Sequence, residues 1–152
     1  MTEPQATELA AALRRSFDRS FGLYRDLVRS LDASALGSRL DGLPSNTIGG
    51  QLWCLVGARE SYARAIAAGQ WSGFSCSLDD PADPAKVADA LRRSEAAVSD
   101  VLTNLATYGE TQARLALDLL EHEAQHQGQL IRYLYGLRLP IPDSWKERYA
   151  LD

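Results

Sequence analysis

Four long stretches of this sequence repeat their apolar residues every three or four positions, and no segment alternates apolar and polar residues as a strand would. Such a chain is restricted to helices that each bury one face. The first pattern runs from about Thr7 to Leu31, with Leu9, Leu13, Phe17, Tyr24, Leu27 and Leu31 on one side. The second starts near Ser45 or Asn46, either of which can cap free N–H groups, and stops at Gly69. It carries a bulky stripe (Ile48, Leu52, Leu55, Tyr62, Ile66) and a small one (Gly50, Cys54, Ala58, Ser61, Ala65). The small stripe allows a helix or a ligand to approach closely. The third opens with Asp83 as cap and Pro84 at the first helical position, and extends to Gly109. The fourth runs from about Thr111 to Tyr135, with Gly136 and Pro140 as stop signals.

Links between these patterns set the topology. Residues 32–44 lose the period and hold Gly37, Gly42 and Pro44, which reads as a connector. Residues 70–83 form the longest link, and its Trp71 and Phe74 are expected to fold over one end of the helices. The tail after Pro140 predicts one short helical turn capped by Asp143 or Ser144. The expected fold is an all-α four-helix bundle, one domain over residues 1–152, with a longer link between the second and third helices. A chain of this length can bury a core without disulfide or metal staples.

Charge and composition exclude several function classes. The net charge is -4 with no Lys/Arg-rich stretch, a poor match to a phosphate backbone, so no nucleic-acid partner is expected. No apolar run approaches the roughly 20 residues of a membrane span. Only Cys54 and Cys76 occur, too few for a disulfide framework, and the N-terminal residues do not read as a signal peptide. A cytoplasmic protein with free thiols is the expectation.

The chain has only two histidines, His122 and His126, four residues apart on the fourth helix. That spacing stacks them on one face. They fall in a seam with Leu115, Leu119, Leu130, Tyr133 and Leu137, so both imidazoles are expected to point inward. Buried imidazoles need partners for their nitrogens. A metal ion satisfies a neutral imidazole directly, and a neighbouring carboxylate or carbonyl is the structural alternative. The run HEAQH matches HExxH in form through Glu123, but a metalloprotease also needs a third ligand and a substrate cleft. Cys54 is the best remaining third ligand, since thiolates bind zinc well. Asp118 is a rival, either as ligand or as hydrogen-bond partner of an imidazole. Gln129 borders the pair, and Cys76 in the link is a weaker candidate. Arg59 and Tyr62 could contact a substrate, although Arg59 reads more simply as solvated and Tyr62 as core.

Two segments resemble the DinB/YfiT-like family. EHEAQHQGQLIRYLYGLRLPIPDSW is similar to the family's last helix and tail, where a histidine pair at this spacing precedes Gly-Gln, here Gly128-Gln129. TIGGQLWCLVGARESYARAI is similar to its second helix, with Cys54 at the position of the first metal-binding histidine. The resemblance implies a four-helix bundle with a divalent metal site, usually zinc or nickel, open to a pocket. It also implies relatives that transfer groups with a small thiol such as mycothiol or bacillithiol, and frequent dimers. On this resemblance the expected metal ligands are Cys54, His122 and His126. The expected function is a metal-dependent transferase or hydrolase acting with a small thiol cosubstrate. The alternative is a non-catalytic helical protein that has lost the metal and keeps its histidines for structure, bonded to Asp118 or backbone. A flank of the fourth helix (Leu117, Leu120, Ala124, Ile131, Leu134) offers surplus apolar surface for a homodimer.

Overall fold

Thr2, Asp32, Thr47 and Asp83 each accept a hydrogen bond from the first turn of a helix, and these four caps set where the first four helices begin. The computed structural model describes residues 1–152 and is all-helical. The elements are α1 (Glu3–Arg29), α2 (Ala33–Leu36), α3 (Ile48–Ala68), α4 (Pro84–Val101), α5 (Glu110–Gly136) and α6 (Asp143–Tyr149). A 3₁₀ segment, Leu102–Thr107, follows α4.

The long patterns match long helices, and the ends differ for local reasons. Thr2 and Gln5 form a reciprocal capping box with Pro4 beside it, which starts α1 a turn before Thr7. The connector after α1 contains α2, whose single turn is too short to show a period. Asp32 caps it through the Ala35 N–H at 2.8 Å. The third pattern does not reach Gly109 as an α-helix, because Asn104 leaves helical geometry (φ -100°, ψ 18°). Helix α6 starts after Pro142 with no side-chain cap, so neither Asp143 nor Ser144 has the expected role.

Two apolar clusters fix the direction of each long helix. Phe17 and Phe21 of α1, Ile66 of α3, Val98 of α4 and Leu119 of α5 share one. Leu27 and Leu31, Leu52 and Leu55, Val87 and Leu91, and Leu130 share the other. Hence α1 and α5 run one way and α3 and α4 run the other. Helices α1 and α3 each pack against both α4 and α5. Parallel α3 and α4 require a link that returns along the whole core, which is what residues 70–83 do.

That link lies along the side of α3, not over an end. Ser75 N donates to Ser61 Oγ at 3.0 Å, and Ser77 N donates to Glu60 Oε2 at 2.8 Å. Trp71 packs on Tyr62 and Phe74 on Trp53, with ring centroids 5.0 and 5.4 Å apart. Glycines of α3 make room for it. A Cβ on Gly57 would sit 2.3 Å from the Phe74 ring, and one on Gly49 would sit 2.2 Å from the Pro81 carbonyl oxygen. Helix α6 is pinned by Trp145, fully buried, whose indole N–H donates to Leu23 O at 2.7 Å.

The α5 flank expected to cover a dimer is largely used within the chain. Leu134 is in the core, and Leu120 and Ile131 pack against it, which leaves Leu117 and Ala124 exposed. No helix is long and apolar enough to cross a membrane.

Two glycine substitutions should move stability in opposite directions. Gly49→Ala forces its methyl against the Pro81 backbone and should cost about 1–3 kcal/mol. Gly128→Ala, on an open helical surface with nothing within 4 Å, should add about 0.5–1 kcal/mol. Urea denaturation of both variants measures the pair.

Candidate metal centre

Helix α5 presents His122 and His126 one turn apart, with ring centroids 4.5 Å from each other. Helix α3 runs antiparallel beside it. Tyr133 OH donates to Asn46 O (2.6 Å) at one end of the pair, and Gln112 Nε2 donates to Ile66 O (2.7 Å) at the other. This alignment sets Cys54 opposite the histidines. Cys54 Sγ lies 3.8 Å from His122 Nε2. One ligand atom from each of Cys54, His122 and His126 lies within 4.8 Å of the others.

The surroundings prepare these groups differently. His126 is 7% exposed, and its Nδ1 meets Gln51 Oε1 at 2.5 Å. Gln51 Nε2 in turn donates to Asn46 Oδ1 at 2.8 Å, so the Gln51 oxygen is the atom turned to the ring. His126 Nδ1 therefore carries the hydrogen and Nε2 keeps its lone pair. Burial, and next the neighbouring His122, push the His126 pKa down to about 4, so the ring is neutral at pH 7. Burial also lowers His122 and raises the Cys54 thiol. The His122 Nδ1 atom is buried with no hydrogen-bond partner.

This donor set fits a divalent ion. Tetrahedral zinc with one sulfur and two nitrogen ligands holds its donors about 3.4–3.6 Å apart. The 3.8 Å sulfur–nitrogen separation is close to that, and the 4.8 Å limit leaves about 1 Å of closure for side-chain rotation. Two neutral imidazoles and a thiol suit zinc better than calcium or magnesium, which prefer oxygen. His122 Nδ1 has no partner within the protein, and Nε2, the nitrogen turned to the group, meets only the Cys54 sulfur.

The other candidates stand elsewhere. Asp118 and Gln129 are exposed and do not join the group, and Asp118 makes no hydrogen bond to either histidine. Cys76 donates from its thiol to Trp53 O at 3.3 Å. Tyr62 lines an open depression beside His122, together with Asp118, Glu121 and Gln125. The buried seam of α5 is rotated from the expected one. It runs through Ala116, Leu119, Glu123, His126, Gln127, Leu130, Tyr133 and Leu134, which keeps Leu119, His126, Leu130 and Tyr133 of the expected seam but leaves His122 at its edge, partly exposed.

Glu123 and Arg59 are the largest departure from expectation. Arg59 is not solvated but 1% exposed, and Glu123 is equally buried. The guanidinium donates from Nε to Oε1 at 2.5 Å and from Nη2 to Oε2 at 2.8 Å. Phe21 and Tyr24 cover the cation, 4.7 and 5.2 Å from their ring centres. Burial opposes the charge on Arg59, but Glu123 outweighs it and holds the guanidinium above its ordinary pKa. The Glu123 carboxylate is thus taken up by Arg59 and Ser20, and no HExxH-type general base faces the group of Cys54, His122 and His126. The signal was present in the pattern: Arg59 interrupts Leu52, Leu55, Tyr62 and Ile66, and Glu123 interrupts Ala116, Leu119 and Leu130.

No family model, no curated protein and no solved structure matches this chain.

The depressed His126 pKa predicts a pH-dependent stability for the metal-free protein. An unfolded histidine titrates near about 6.5, so between roughly pH 6.5 and 4 the unfolded chain binds more protons than the folded one. This contribution is complete above about pH 6.5 and is lost as the pH falls through about 4. Urea midpoints across this range should fall less steeply for His126→Gln than for the unaltered protein.

Proposed function

We propose that this protein is a DinB-like four-helix bundle that holds one divalent ion, zinc or nickel, through Cys54, His122 and His126. Its activity on this reading is metal-dependent group transfer or hydrolysis with a small thiol cosubstrate. The convergence of the three donor atoms within 4.8 Å, from helices far apart in sequence, is the observation that carries the reading. When bound, the ion would lower the pKa of a thiol or water at a remaining coordination position.

The chain's own residues have separate tasks. Gln51, itself held by Asn46, keeps the His126 hydrogen on Nδ1 and leaves Nε2 free as a donor. His122 stands where the centre meets the open depression lined by Tyr62, Asp118, Glu121 and Gln125. A small thiol could enter from that side, and an Asp118 carboxylate oxygen is available there to accept its proton. Cys54 contributes a negative sulfur, which makes the ion a weaker electrophile than three imidazoles would. The non-catalytic alternative needs the histidines satisfied by Asp118 or backbone. Asp118 bonds neither, and His122 Nδ1 has no partner at all.

Metal analysis of protein purified without chelator tests this reading. About one ion per chain is expected, with loss in Cys54→Ala and in His126→Ala and retention in Cys76→Ala. Gln51→Leu should weaken binding by about 10–100-fold while leaving the ligands intact. Unchanged stoichiometry in both ligand variants would remove the centre.

A further inference from the structure

A second concave site lies on the opposite flank of α5, between α1 and α6. It is a cavity of about 170 Å³ whose walls include Arg19, Ser20, Gln127, Arg148 and Tyr149. None of the three titratable residues named for the metal centre takes part in it. Its inner wall is polar and buried: Ser20 is 5% exposed and Gln127 4%. These residues are locked in place, because Gln127 Nε2 donates to Ser20 Oγ at 2.7 Å and Ser20 Oγ donates to Glu123 Oε2 at 2.5 Å. Tyr149 OH donates to Gln127 Oε1, so its hydrogen is already committed inward.

The outer walls carry the charge. Arg19 and Arg148 both face this cavity, and neither has a carboxylate partner. Arg19 has only a 3.5 Å contact to Ser16 Oγ, and Arg148 lies 5.4 Å from the centre of the Tyr149 ring. Burial raises the Tyr149 pKa, while Arg148 and Arg19 both act to lower it, as expected for two guanidiniums gathered near one oxygen. The other arginine-lined hollow differs. There Arg25, Arg29 and Arg92 pair with Glu95, Asp26 and Asp89. The Glu123 carboxylate behind the inner wall is neutralised by Arg59, so it does not cancel the field of Arg19 and Arg148. Arg19 and Arg148 also line a neighbouring hollow that holds Asp26 and Glu147; neither carboxylate is paired with them, and Asp26 is engaged by Arg29.

We propose that this cavity binds a small oxyanion, the carboxylate or phosphate group of a small molecule, between Arg19 and Arg148. Two planar guanidiniums with free donors supply the paired hydrogen bonds such groups take. The rigid Ser20, Gln127 and Tyr149 wall fixes the depth. The site is separate from the metal centre and does not depend on it.

Titration of the full chain with inorganic phosphate and with acetate, at constant ionic strength, tests the proposal by calorimetry. Saturable binding is expected, and the tighter of the two anions identifies a phosphate or a carboxylate as the preferred group. Arg19→Gln and Arg148→Gln are exposed-residue changes that leave the fold intact, and each should weaken binding at least about tenfold. Absence of saturable binding by both anions would overturn the proposal. So would equal affinity in the two variants, as expected for an anion held on a metal ion.

Discussion

The pair of Arg59 and Glu123 is the constraint on which the interior is organised. Two full charges, each 1% exposed, face each other between helices that meet far from their ends. Taking both from water costs several kcal/mol per ion, about what their attraction returns. The pair therefore contributes little net stability, and its effect is on position. An antiparallel slide of α3 against α5 would separate the charges inside an apolar core. The same carboxylate receives Ser20 of α1, and the backbone of Glu123 receives Tyr24 OH at 2.7 Å. Through Gln127 and Tyr149 the network reaches α6. Four helices thus share one polar layer between two apolar clusters.

That alignment brings the three candidate metal ligands together. Cys54 lies five positions before Arg59, and His122 is the neighbour of Glu123, so fixing one pair fixes the other. Gln51 and Asn46 complete the arrangement from the same helix and the residues just before it. The protein also keeps Glu123 from the chemistry that an HExxH motif suggests. A successive residue on a helix points about 100° away, and here that angle turns the carboxylate into the core and the imidazole to the edge. On the other flank of α5 the same polar layer forms the inner wall of the Arg19 and Arg148 cavity.

Much of this was legible in the amino-acid sequence, and the rest was hidden for identifiable reasons. The long helices followed from periodicity and from caps such as Asp83 with Pro84. The grouping of Cys54 with His122 and His126 was expected from spacing, ligand chemistry and the DinB-like resemblance, and the donors do converge. Arg59 departs from the expectation because an arginine is usually solvated, and only its partner across 64 residues reveals otherwise. The path of the link after α3 is not fixed by its aromatics, which are compatible with either an end or a side. The small residues Gly49 and Gly57 carried the missing information, since they clear the side of α3 for it. Gln51 is not legible in the sequence, because a glutamine on a helix carries no signal of its own until its hydrogen-bond partners are known.

On the proposed reading, Cys54 sulfur and two histidine nitrogens bind one ion. Cobalt(II) substitution followed by absorption spectroscopy tests it most directly, because sulfur ligation gives a near-ultraviolet charge-transfer band and four-coordination gives intense visible bands. Both features are expected in the unaltered protein, with loss of the charge-transfer band in Cys54→Ser and its retention in Cys76→Ser. A charge-transfer band that survives Cys54→Ser, or that never forms, would contradict it.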